Sequence, residues 1–266
     1  MIRKPISTKA KISMGVLSVL VLVAAYSWMS HKQHVFNPKD TTIPNAQQFV
    51  EGWKKITTPE EYTGEIWLLN DMKATLGRHI GGMLLGVAIA LFVGMAMGVN
   101  SWAEAFFSWP VNFFAKIPPT AMMAVYFVLF GTEYKMFVAM IALGIFPTLA
   151  QTIYQSAKKD VDDDAINKAY TLGASHMEVI YNIIFMKILP RVIEAIRLQV
   201  GPALVFLIAA ELLVSDVGFG YRLRIQSRLL NMNVVYLYLI ILGMGFLLMD
   251  WGLRLKRRFL CPWFGE

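Results

Sequence analysis

Two ionisable residues stand inside or beside long apolar runs, and each could handle a polar or charged solute. Lys116 lies two residues before Pro118 and Pro119, within an apolar run over residues 111–131. A lysine in hydrocarbon is costly unless it faces a cavity, a partner or the interface. Proline inside a helix removes a hydrogen bond and clashes with the preceding turn. The group therefore reads in two ways. It is a kinked segment lining a translocation path, or the prolines only start the span and Lys116 reaches the surface along its own stem. Glu211 lies near the end of a second apolar run, over 192–214. Its carboxylate needs water near the outer mouth of a path, with Arg222 or Arg224 as partner, or a structural hydrogen bond at the span end.

Catalytic patterns are missing from the sequence. There is no Gly-x-x-x-x-Gly-Lys-Ser/Thr phosphate loop, so the chain cannot bind ATP in that way. His-Glu-x-x-His and Gly-x-Ser-x-Gly are also absent. His31 and His34 have a metal-compatible spacing but no third ligand nearby, so no metal site is expected. The expectation is a protein that is not an enzyme and carries no catalytic residue or cofactor of its own.

The elements around these residues are apolar. Of 266 residues, 56% are hydrophobic and 16% charged, with a mean hydropathy of +0.51. A soluble domain is about 45–50% apolar and about 25% charged. Six runs are long enough to span: 12–29, 80–99, 111–131, 136–154, 192–214 and 234–249. The first lacks a small-residue cleavage site, so an uncleaved span is expected rather than a signal peptide. The polar stretch 31–71 carries Phe49, Val50, Trp53 and Ile56 at the spacing of one helix face. The net charge of +7 is topogenic rather than a nucleic-acid signature. Arg3, Lys4, Lys9 and Lys11 precede the first run, and Arg254, Lys256, Arg257 and Arg258 follow the last. An even span count with two basic ends puts both termini in the cytoplasm. The single Cys261 rules out an intrachain disulfide.

Two further patterns bear on packing and coupling. In the second run Gly82, Gly86, Ala90, Gly94 and Gly98 recur every fourth residue. One helix face of small residues lets a neighbouring helix approach closely, which is how helices associate in lipid. In the polar stretch 155–191, three aspartates precede a helical pattern in which Ala165, Ala169 and Leu172 share a face. Gly173 then ends or bends the helix, and a second helix starts near Ser175.

Asn167-Lys-Ala-Tyr-Thr-Leu-Gly-Ala-Ser175 resembles the cytoplasmic EAA loop of ABC importer permeases, where Glu-Ala-Ala is followed three residues later by Gly. Asn167, Lys168 and Ala169 occupy the Glu-Ala-Ala positions, with the first two departing from it, and Gly173 occupies the glycine. Further elements are similar to the nitrate/sulfonate/taurine-type branch. They are Thr75-Leu-Gly-Arg78, Lys116-Ile-Pro-Pro-Thr-Ala121, Phe130-Gly131, Leu189-Pro190, Ala210-Glu-Leu-Leu213, Gly218-Phe-Gly-Tyr221 and Arg257-Arg258 with Pro262-Trp263. The match covers roughly residues 70–264.

The resemblance implies an all-α polytopic fold of about six transmembrane helices, like a type I ABC importer permease. Together with the hydropathy pattern, the expected domains are 1–30 (first span), 31–71 (periplasmic segment), 72–260 (permease core with coupling loop 155–191) and 261–266 (tail). Asp164, Ala165, Asn167, Lys168, Ala169, Tyr170, Gly173, Ala174 and Ser175 would couple the chain to an ATPase. Two ATPase subunits carrying ATP and Mg, a second permease copy, a periplasmic solute-binding protein and the inner-membrane bilayer are the implied partners. The rival reading is a secondary transporter or channel, although no repeat relates the two halves.

Overall fold

The computed structural model describes residues 6–61 and 64–263. Arg3 and Lys4 of the basic N-terminus, and residues 264–266 of the tail, lie outside the described residues. The helices are α1 (Thr8–Phe36), α2 (Ala46–Thr57), α3 (Trp67–Val99), α4 (Ser101–Phe114), α5 (Met123–Phe130) and α6 (Tyr134–Lys159). They continue with α7 (Asp163–Thr171), α8 (His176–Glu178), a π-helical stretch Val179–Phe185, α9 (Met186–Val214), α10 (Phe219–Arg228) and α11 (Met232–Leu260). Helix α8, the π-stretch and α9 form one continuous rod, His176–Val214.

Among the described residues five helices are long and apolar enough to cross a membrane: α1, α3, α6, the His176–Val214 rod and α11. Each extends beyond its apolar run, because hydropathy marks only the part at lipid depth while backbone hydrogen bonding carries the helix further. The run over 111–131 is different. It is not one helix: α4 ends at Phe114, turns follow, and α5 starts at Met123. Pro118 and Pro119 have no N–H to donate, so the Ala115 carbonyl loses both its local helical donors.

The chain divides into two compact units: residues 1–67 with 223–239, and residues 68–222 with 240–266. In the first, residues 37–57 are ordered by side-chain caps. Asn45 and Gln48 form a reciprocal capping box that starts α2. The Asp40 carboxylate accepts from the Thr42 hydroxyl at 2.7 Å and from the Thr42 and Ile43 amides. These bonds, the Thr42 hydroxyl's first, hold its pKa below the ordinary carboxylate value. Tyr26, Phe49 and Tyr236 form a ring cluster with centroids 5.9–6.4 Å apart. Phe49, Gly52 and Ile56 are the inward face of α2, whereas Val50 and Trp53 are exposed. The expected apolar face of this helix is therefore rotated toward Gly52, which lies against Leu237 and Asn233.

The second unit is built around α6. The small-residue face of α3 lies on it, and a Cβ added at Gly82, Gly86 or Gly94 would come within 3.0 Å of Ile141, Ile145 or Ile153 respectively. Ala90 is fully buried in the same seam, and the Cβ of Ala157 faces Gly98. The pair α4 and α5 runs antiparallel along α6. Glu104 meets Lys158 at 2.5 Å, Asn112 accepts from Gln151 at 2.7 Å, and Pro119 lies against Gly144. Met123 and Tyr126 share a cluster with Met136, Phe137 and Met140. Two short helices thus cover the length of one span, with the break opposite the middle of α6.

Candidate functional site

The α7–α8 segment is a capped, bent pair of helices. Asp163 and Asp164 occupy the first turn of α7, where the positive end of the helix dipole favours them. The helix closes with Gly173 N–H donating to the Tyr170 carbonyl and Ala174 N–H to the Ala169 carbonyl, each at 3.0 Å. Gly173 sits at φ +85°, the left-handed conformation such a stop requires. Ser175 caps α8 in a capping box with Glu178, its hydroxyl 2.8 Å from the carboxylate. Tyr170 Oη lies 2.7 Å from His176 Nδ1 across the bend.

The faces of this segment differ from the expected ones. Ala165 and Ala169 are half-buried, and between them Ile166 packs on the core. Leu172 does not continue their face. It lies past the end of α7 and is 88% exposed. Met177 and Tyr181 are exposed too. The outward surface therefore carries Asn167, Lys168, Tyr170, Leu172, Gly173, Ser175, Met177 and Tyr181, with Asp164 at the leading end and Ala174 half-buried.

Glu211 lies in a buried polar cluster of the second unit. It is fully buried and accepts from Arg78 Nη1 at 2.8 Å, from the Thr75 hydroxyl at 3.0 Å and from the Gly220 amide at 2.9 Å. Arg78 also donates to Ser215 Oγ and the Val217 carbonyl. Its guanidinium carbon lies 4.0 Å from the Phe137 ring centroid. Asp71 accepts from the Gly218 amide at 3.0 Å and from Arg222 Nε at 2.8 Å, and Phe219 N–H donates to Thr75 Oγ1 at 2.9 Å. Three successive amides at the start of α10 are thus held by side chains of α3 and α9. The expected partnering of Glu211 with Arg222 or Arg224 is corrected: Arg78 forms that ion pair, and Arg222 reaches Asp71. The turn after α9 lays the α10 N-terminus over α3, whose Asp71, Thr75 and Arg78 share one face. The apolar pattern starts this span at Ile80 and leaves Asp71 in the polar segment 31–71. The spacing i, i+4, i+7 of polar residues just before an apolar run was the available signal.

Lys116, Pro118 and Pro119 lie at the α4–α5 break and line a recess of about 380 Å³ with Gly144 and Thr148 of α6 and Gln199, Pro202 and Phe206 of α9. Lys116 is exposed and makes no ion pair among the described residues. The structure does not bring it near Glu211, whose surroundings are the α3–α10 cluster. Glu194, by contrast, pairs with Arg197 and with Arg257 at 3.1 Å, and Asp250 pairs with Arg254 at 2.7 Å. The Glu194–Arg257 pair and an Arg197–Asp250 pair tie α9 to α11.

Five long apolar helices, a proline-broken pair of shorter ones and a bent polar segment between long helices are features of a polytopic membrane protein. The family model for the binding-protein-dependent transport system inner membrane component matches residues 82–258, and the chain belongs to this family. It is 28% identical to the taurine transport system permease protein TauC of Escherichia coli K12, over 99% of this chain and 94% of that one. It is also 28% identical to the nitrate import permease protein NrtB of Synechococcus elongatus, over 55% of this chain and 52% of that one. These relatives place it in the nitrate/sulfonate/taurine branch. In fold, it resembles a solved chain of the inward-facing MetNI methionine ABC transporter, with a TM-score of 0.65 and 19% identity, covering 73% of this chain and 96% of that one. The secondary-transporter and channel readings fall with the family match.

Proposed function

We propose that this chain is the membrane-spanning subunit of an ATP-driven importer for a small polar solute of the taurine, sulfonate or nitrate kind, or another small nitrogen compound. It works as a homodimer in the bacterial inner membrane with both termini cytoplasmic. Two separate ATPase subunits bind ATP and Mg, and a periplasmic binding protein delivers the solute.

The observation that carries this reading is the α7–Gly173–α8 segment. Its bend is fixed by the Gly173 helix stop and the Ser175–Glu178 capping box, so it is stiff, while Leu172, Met177 and Tyr181 stay exposed. A stiff helix transmits a push that a floppy loop would absorb. Closure of the ATPase pair on ATP would move this segment and turn the permease pair from inward- to outward-open.

The test is paired. Leu172→Asp and Gly173→Asp should leave the subunit abundant in the membrane, because neither residue packs on the core. Both should sharply reduce recovery of the ATPase subunit by pull-down and abolish ATP-dependent uptake into proteoliposomes. Full ATPase recovery and full uptake in both variants would show that this segment does not couple the subunits.

A further inference from the structure

The α4–α5 break lies opposite the middle of a spanning helix, and that placement needs a physical account. Irregular backbone at hydrocarbon depth is tolerated only where protein buries it or a water-filled cavity receives it. Here Lys116 and Pro118 are exposed. Pro118 and Pro119 withhold local donors from the Ala115 carbonyl, and Pro202 in α9 withholds one from Leu198. The recess of about 380 Å³ lies where these three prolines meet, at mid-length of both α6 and α9. Broken helices at the midplane are where transporters place their solute contacts.

The chemistry of the lining is one-sided. No acidic residue lines the recess. Lys116 makes no ion pair, and the Gln199 side chain makes no hydrogen bond, among the described residues. The Thr148 hydroxyl is already donated to the Ile145 carbonyl at 3.1 Å. The recess therefore offers an ammonium and an amide as uncommitted donors, with the Phe206 ring and the prolines as an apolar wall. Along the same α6–α9 pair, nearer the end of α6, lies a second recess whose lining is mixed in charge, with Lys159 and Arg191 beside Asp160 and Glu194.

We propose that the recess at the α4–α5 break is a transit site for a small oxyanion such as a sulfonate or nitrate. Lys116 supplies the charge and Gln199 a directional hydrogen bond. The site rests on the transport reading above and adds its ligand chemistry and the residues that provide it. An exposed lysine binds an anion weakly, which suits a site that must also release it.

The test uses the full chain with Cys261→Ser and a single new cysteine, Gln199→Cys or Thr148→Cys, in sealed phosphatidylcholine vesicles. The probes are two membrane-impermeant methanethiosulfonates, one carrying an ethylsulfonate and one a trimethylammonium group. Both should label both positions. The sulfonate reagent should react at least about fivefold faster with Lys116 present than in Lys116→Gln, while the cationic reagent should not slow on removing Lys116. Lys116→Arg should restore the sulfonate rate, which separates charge from any change in packing. Labelling by lipid-soluble N-ethylmaleimide alone would show a lipid-facing recess and overturn the site. Equal sulfonate rates with and without Lys116 would also overturn it. The labelling needs neither ATPase nor solute, so its failure is distinct from failure of the coupling test.

Discussion

Arg78 on α3 donates through Nη1 to Oε1 of Glu211 on α9 at 2.8 Å, and both side chains are buried. A buried ion pair is not in itself stabilising, because desolvating both charges offsets their attraction. This one is embedded in further hydrogen bonds: Thr75 and Gly220 donate to the carboxylate, and Arg78 Nη1 also donates to Ser215 Oγ and the Val217 carbonyl. The pair joins two long helices to the start of α10.

Removing one partner should cost far more than removing both. Arg78→Met leaves an uncompensated buried carboxylate and should destabilise the chain by about 3–5 kcal/mol. Arg78→Met with Glu211→Leu should cost less than Arg78→Met alone. Thermal melting of the detergent-purified chain in a double-mutant cycle measures this. Arg78→Met melting with the wild type would show that the pair does not hold these helices.

Gly218 and Gly173 should respond differently to alanine. Both have positive φ, +119° and +85°. At Gly218 an added Cβ would also lie 2.6–2.8 Å from the Glu211 carboxylate. At Gly173 it would meet nothing within 4 Å. Gly173→Ala should cost about 1 kcal/mol from backbone strain alone. Gly218→Ala should cost more and push the carboxylate off its donors. Equal losses of melting temperature would contradict the contact.

The α3–α6 seam gives a similar contrast on one helix. Gly86→Leu should reduce membrane abundance severely, since even its Cβ would lie 2.7 Å from Ile145. Overpacking of this kind costs about 1–3 kcal/mol or more. Gly77→Leu, on an open face of the same helix, should be tolerated. Quantitative immunoblotting of membranes reads both, and normal abundance of Gly86→Leu would mean that the seam can open.

The candidate coupling segment was largely legible in the sequence, because helix starts and stops are local. Three aspartates, a glycine and a Ser-x-x-Glu box each act within a few residues of themselves. What was not legible is which side of α7 faces outward. Ala165 and Ala169 turn toward the core because Ile166 between them packs there, and Leu172 falls beyond the helix end. Likewise the prolines at 118–119 announced irregular backbone but not its depth. Depth follows from the contacts of Glu104, Asn112 and Pro119 along α6.

Composition and periodicity by themselves determined an all-helical membrane protein, its main spans, its small-residue seam and its bent polar loop. These follow from the cost of unsatisfied backbone in lipid and from short-range hydrogen bonding, both of which can be read from neighbours along the chain. Only the tertiary structure decided that Glu211 belongs with Arg78, 133 positions away, and that Lys116 shares a recess with Gln199. A buried charge takes whichever opposite charge the packing brings to it. That choice depends on how α3, α6 and α9 fit against one another, which no local pattern encodes.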